Sequence, residues 1–188
     1  MIRATLIALL TLSLPAALPA VAQQVPDQAT AKRMLFSTRN SQIVITPQPF
    51  LSAADLATLQ KMPKVAELKY YGALAASPAE GLQSAQTRGA FNFHSIEDAR
   101  AAALSGCGAS CVLVAEIYPR RYQPGRPLTL SQDASRIVKG RDFRRAGANA
   151  ALAISAATGA WGLGDGGAAA TASCAAKGAR DCEVAVSR

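Results

Sequence analysis

Four cysteines, a single histidine, a glycine-rich run and a cluster of arginines are the residues of this chain whose types and spacing can do chemistry. Three residues separate Cys107 from Cys111, and seven separate Cys174 from Cys182. Either spacing can bring two α-carbons within the roughly 4.4–6.8 Å that a disulfide needs. Zinc sites favour ligands in short paired spacings, and thioredoxin-type redox chemistry uses C-x-x-C; neither pattern occurs. The cysteines are therefore read as two structural bridges, Cys107–Cys111 and Cys174–Cys182, out of the three connectivities open to four thiols.

His94 is the only imidazole. Acid–base work would require an orienting carboxylate and a nucleophile beside it, and no motif supplies them. Glu97 and Asp98 fit better as acids in the first turn of a helix capped by Ser95. No residue is assigned as catalytic, and His94 marks the place where a small-molecule enzyme would have its site. The run Gly162-Leu-Gly-Asp-Gly-Gly167 resembles a dinucleotide fingerprint, with Glu183 roughly 20 residues on. Glu183 opens a strand, however, and the preceding strand belongs to a hairpin, so the run is read as a glycine-rich hairpin arm and helix start. No metal and no cofactor is expected.

The charge is concentrated. The chain has 20 basic and 12 acidic residues, a net charge of +8. Between Pro119 and Gly147 lie Arg120, Arg121, Arg126, Arg136, Lys139, Arg141, Arg144 and Arg145 against Asp133 and Asp142 only. Such a run reads as a solvated linker or as an anion-facing surface. The matching partners outside the cytoplasm are an anionic glycan, a lipid A phosphate or an acidic protein. Nucleic acid is disfavoured, because only Tyr118 and Tyr122 stand there to stack on bases.

These residues need elements to position them. Met1-Ile2-Arg3 is a basic start, Ala4 to Leu14 is apolar, and Ala20-Val21-Ala22 offers the small residues of a signal-peptidase site, so residues 1–22 read as a secretory signal cut before Gln23. The apolar run falls short of the ~20 residues of a membrane span. The destination is the periplasm or the exterior, where disulfides persist. Alanine fills 41 positions and aromatics only 5 % of the chain, so the core should be thin and the bridges useful.

Two segments read alike. Gly72-Ala-Leu-Ala-Ala-Ser-Pro78, Gly89-Ala-Phe-Asn-Phe93 and Cys111-Val-Leu-Val-Ala115 parallel Ala150-Ala-Leu-Ala-Ile-Ser-Ala156, Gly159-Ala-Trp-Gly-Leu163 and Cys182-Glu-Val-Ala-Val186. Each reads as strand, strand, helix, strand. In the first, strands over 70–77 and 90–93 precede a helix with Ile96, Ala99, Ala103 and Cys107 on one face, and a strand over 111–118. In the second, strands over 150–155 and 160–163 precede a helix over 168–177 and a strand over 182–186. Phe91 and Phe93 are expected on one face of their strand. A helical crossover after a hairpin sets the third strand beside the first, antiparallel to it. The fold class is therefore α+β: two related ββαβ units packed together, antiparallel sheet with helices mainly on one face, plus N-terminal helices over 28–35 and 53–60 and a strand over 43–46. One continuous sheet is one way for the units to pack. The chain divides into the signal (1–22), the N-terminal helices and first unit (23–118), a basic linker with a helix from Ser131 to about Arg145 (119–148) and the second unit (149–188).

The second unit, with Leu152-Ala-Ile-Ser155, Thr158-Gly-Ala-Trp-Gly162, Cys174, Gly178 and Asp181-Cys-Glu-Val184, resembles a bacterial secreted domain family of unknown function whose pattern is A-[IV]-A-x-S…T-G-x-x-G…C…D-C-x-V. The resemblance implies a fold and no activity. Small secreted proteins similar to the whole chain are sometimes named 5-aminolevulinate synthases. That chemistry needs pyridoxal phosphate with a Schiff-base lysine and an acid at the ring nitrogen, and no segment offers a scaffold for either. The reading is a secreted, disulfide-stapled, non-enzymatic binding module for an anionic envelope component. The alternatives are a protein-interaction module or inhibitor of an envelope enzyme, and an enzyme using His94.

Overall fold

A computed structural model describes residues 24–188; the segment read as a signal peptide lies outside the described residues. The elements run α1 (Gln28–Met34), β1 (Ser41–Ile45), α2 (Ala53–Val65), β2 (Gly72–Ala76), β3 (Arg88–Ala90), α3 (Ile96–Cys107), β4 (Val112–Pro119), α4 (Gln132–Lys139), α5 (Asp142–Arg145), β5 (Ala150–Ile154), β6 (Trp161–Asp165), α6 (Gly167–Ala175) and β7 (Glu183–Ser187). The fold is α+β.

The helices start where side chains can satisfy their first N–H groups. Asp27 accepts from the Thr30 N–H at 2.8 Å. Ser52 and Asp55 form a reciprocal capping box. Ser95 and Ser131 cap α3 and α4. The helix expected from Ser131 to about Arg145 is broken at Gly140, whose N–H closes α4 on the Arg136 carbonyl at 2.8 Å. The change of direction lets Phe143 enter the core, where it is fully buried.

The strands form two antiparallel sheets, ordered β1-β4-β2-β3 and β6-β5-β7, not one continuous sheet. In both, a hairpin and then a helix deliver the last strand beside the first. Both of those pairings shift register, between Leu74 and Ala75 in one sheet and between Leu152 and Ala153 in the other. The crossover helices α3 and α6 each cover one face, where Ala73 and Ala75 meet α3 and Ala151 and Ala153 meet α6. The opposite faces are covered too. Leu59 of α2 packs with Leu74 and Val114. Ala31, Leu130, Ala134, Val138 and Phe143 pack with Leu152 and Val186.

One expected strand is displaced. The second strand of the first hairpin ends at Ala90 instead of running over 90–93, because Asn92 takes a left-handed backbone with φ 66°. Phe91 and Phe93 are thus not alternate residues of a strand. Phe91 lies over Gly72 and Gly89, where a Cβ would come within 2.4 Å of its ring.

Small residues let the second half close up. A Cβ on Gly162 would sit 2.2 Å from the Cys174 nitrogen, and one on Gly164 2.6 Å from the Ala169 carbonyl carbon. The alanine-rich α6 therefore rests directly on the glycines of β6, and the run that resembled a nucleotide fingerprint serves helix–sheet contact. Both expected bridges are present, Cys107–Cys111 with α-carbons 5.9 Å apart and Cys174–Cys182 with α-carbons 6.1 Å apart. Each ties the end of a crossover helix to the strand that follows it.

This packing separates two alanine substitutions. Gly162→Ala meets backbone that cannot move aside and is expected to destabilise the fold by about 1–3 kcal/mol. Gly106→Ala, exposed in α3 with its nearest neighbour an Arg88 side-chain carbon at 3.4 Å, is expected to stabilise it by about 0.5–1 kcal/mol. Urea melts of the two oxidised variants measure both.

Candidate functional site

The residues with chemical potential fall into two places. The first is the seam between the sheets. His94 is 2 % exposed. Its Nδ1 accepts the Ser131 N–H at 3.1 Å. A backbone N–H can only donate, so Nδ1 carries no proton and the proton resides on Nε2, which donates to the Ala160 carbonyl at 3.0 Å. Both ring nitrogens are thus engaged, and burial pushes the imidazole below the ordinary histidine pKa.

A serine and an aspartate, which the sequence analysis did not single out as a pair, lie close by. Ser155 is fully buried, and its hydroxyl donates to Asp181 Oδ1. Asp181 Oδ2 accepts the Ala157 N–H at 2.9 Å, and Thr158 Oγ1 lies 2.8 Å from Ser155 Oγ. The Ser155 hydroxyl, then the Ala157 N–H, hold the Asp181 carboxyl below the usual carboxylate range. Serine, histidine and aspartate are neighbours, but not in the order a nucleophile requires. The serine bonds the carboxylate directly and the imidazole bonds two backbone groups. The cluster ties the Ala156–Gly159 turn to the loop before Cys182.

The second is the basic segment over 119–148, whose residues divide by role, and the open end of the first sheet beside it. Arg126 donates to the Met34 carbonyl and lies 3.7 Å over the Phe36 ring. Lys139 Nζ donates to the Leu35 and Phe36 carbonyls at 3.1 and 2.6 Å. These two cations hold the chain leaving α1. Arg141, Arg144 and Arg145 lie exposed at and beside α5, which packs on the second sheet. Arg145 pairs with Asp142 at 3.7 Å. Segment 119–148 is accordingly a packed element carrying basic side chains, with Leu130, Ala134, Val138 and Phe143 in the core.

Arg120 and Arg121 are arranged differently. Ser41 pairs with Pro119, so the residues before β1 and after β4 leave the sheet side by side. Arg39 and Asn40 therefore meet Arg120 and Arg121. With Ser37 they line a shallow hollow of about 380 Å³. Among the described residues no carboxylate lies within ion-pairing distance of Arg39, Arg120 or Arg121. Arg39 was not among the basic residues picked from the sequence, since it lies 81 positions before Arg120 and only strand register joins them.

Asn40 also lines an adjoining hollow of about 420 Å³ with Ser41, Lys64, Glu67, Lys69, Gln132 and Arg136. Three of its lining residues, Lys69, Gln132 and Arg136, have partners behind them. Lys69 pairs with Asp133, Arg136 lies 3.7 Å from the same carboxylate, and Asn92 exchanges two hydrogen bonds with Asp133. Gln132 donates to the Thr38 carbonyl and accepts the Tyr70 N–H.

Family models, characterised proteins and solved structures were compared with the chain, and none matches. Among the described residues no helix is long and apolar enough to cross a membrane.

The seam carries a pH prediction. The folded-state pKa of His94 is depressed, so the unfolded chain binds its proton first. Stability is complete above about pH 6.5 and falls as pH drops below it, by at most about 1.4 kcal/mol per pH unit. Asp98 and Asp181 face the imidazole and oppose the depression without cancelling it. The depressed Asp181 loses its own contribution only as pH falls below the ordinary aspartate value. Denaturant melts between pH 7.5 and about pH 5 should show this slope in the wild type and not in His94→Gln.

Proposed function

We propose that this protein is exported and acts as a non-enzymatic binding module for an anionic component of the bacterial envelope. The observation that carries the reading is the hollow lined by Arg39, Arg120 and Arg121 with Ser37 and Asn40, three arginines gathered by strand register and, among the described residues, without an ion-paired carboxylate. Guanidinium is weakly hydrated and presents a planar fork of donors, so three together form an anion-binding surface. The basic residues named from the sequence contribute unequally. Arg120 and Arg121 belong to this hollow and Arg136 to the adjoining one. Arg141, Arg144 and Arg145 add to the general positive field, and Arg126 and Lys139 support the fold.

Export is supported by the pattern of residues 1–22 and by two disulfides, which last in an oxidising compartment. The enzyme reading draws no support from His94, whose ring nitrogens are both occupied by backbone groups.

Two measurements test this. Expression of the full chain in a Gram-negative host should give a product whose mass corresponds to a start at Gln23, and recovery of the unprocessed chain in the cytoplasm would count against export. The purified product should retain envelope components from a detergent extract at low salt and release them near 0.15 M, where charges beyond about 8 Å are screened. Arg120→Ala/Arg121→Ala should abolish that salt-sensitive retention, whereas a retained protein indifferent to salt and to this variant would favour a protein-interaction module.

A further inference from the structure

The two hollows that share Asn40 differ in chemistry, and the difference defines a ligand. The first is lined by three arginines, a serine and an asparagine. Three arginines can supply the positive charge and the donors that the oxygens of a dianion require. The second mixes Lys64, Lys69 and Arg136 with Glu67 and Ser41, whose hydroxyl donates to the Leu68 carbonyl at 2.9 Å and can still accept, while Asp133 pairs with Lys69 and lies 3.7 Å from Arg136. A surface that offers donors and acceptors together suits neutral hydroxyls, each of which donates and accepts. We infer that these hollows form one site for a phosphorylated saccharide, with the phosphate among Arg39, Arg120 and Arg121 and the sugar hydroxyls over Lys64, Glu67 and Ser41. This deepens the anion-binding reading and rests on it.

Backbone conformation supplies an independent observation. Four non-glycine residues among those described have positive φ: Asn40 (62°), Glu67 (47°), Asn92 (66°) and Arg121 (61°). Three of them line the two hollows. The fourth, Asn92, holds Asp133, which in turn positions Lys69 and Arg136. Asparagine tolerates this region, but arginine and glutamate do so at a cost that glycine would avoid. Such conformations collect where a side chain is needed for more than folding. At Arg121 and Glu67 a long charged side chain occupies a glycine-like backbone beside the proposed ligand.

The test uses the mature oxidised chain in calorimetric titrations with inorganic phosphate, glucose and glucose 1-phosphate. Glucose 1-phosphate should bind more tightly than phosphate, and glucose alone weakly or not at all. Arg39→Ala should weaken phosphate and glucose 1-phosphate alike by about tenfold or more, the effect of removing one charge-assisted contact. Glu67→Gln should weaken only the sugar phosphate. Arg121→Gly should raise the melting temperature while weakening binding, a pairing that a purely structural arginine would not give. Arg144→Ala/Arg145→Ala, on α5, should change nothing. Vesicles of phosphatidylcholine with and without a phosphorylated glycolipid then separate the sources. Vesicle binding displaced by glucose 1-phosphate identifies a lipid headgroup, and binding of the free sugar phosphate alone identifies a soluble one. Equal affinity for phosphate and glucose 1-phosphate, or wild-type binding by Arg39→Ala, overturns the inference while leaving salt-sensitive envelope retention intact. Loss of that retention in the wild type would instead remove the anion-binding reading beneath it.

Discussion

The structure turns on one neutral imidazole. His94 lies at the end of the first hairpin, yet it accepts from the backbone at the start of α4 and donates to the Ala160 carbonyl just after the Ala156–Gly159 turn. Three segments distant in sequence are joined through a single buried ring. The neighbouring residues reinforce the join: Gln132 reaches the Thr38 carbonyl and the Tyr70 N–H, and Asp133 is held by Asn92 and Lys69. The N-terminus of α4 is thereby seated against the first sheet, while its apolar side chains pack on the second. Buried polar groups that are fully paired specify one arrangement, since any shift leaves a donor or acceptor unsatisfied.

Around this join the protein is built largely from small side chains. Alanines on alternate positions of β2 and β5 face the crossover helices, and glycines of β6 bring α6 to backbone contact. Each alanine removes little apolar surface from water, so closeness of approach takes the place of bulk. The disulfides sit in equivalent places, at the junction of each crossover helix with its last strand. Larger side chains fill the rest of the core: Tyr70 and Tyr71 lie in the cluster of the first sheet and α3, and Phe143 in that of the second sheet and α4.

The distribution of charge follows from the same architecture. Segment 119–148 had to bury one side against β5, which turned its cations outward in several directions. Two of them, Arg126 and Lys139, were drawn back onto carbonyls at the end of α1. What remains concentrated is the group at the open end of the β1–β4 pair. There exposed arginines and left-handed backbone at Asn40 and Arg121 coincide.

Much of the scaffold is legible from the residues alone. Strand patterns, Ser95 as a cap, the helix start at Ser131, the buried face of Ile96, Ala99, Ala103 and Cys107, and both disulfides are local features, and local chemistry decides them. The exceptions were also local signals, overridden by distant partners. Asn92 leaves the extended conformation to hold Asp133, and the helix after Ser131 breaks so that Phe143 can be buried. The candidate site could not be read in the same way. Arg39 joins Arg120 and Arg121 only because Ser41 registers with Pro119, and Ser155 meets Asp181 only when the second sheet forms. Spacing along the chain determines helices, caps and short bridges, because their interactions span a few residues. Which charges converge and which histidine nitrogens are free depends on pairings across dozens of residues, and those exist only once the chain has folded.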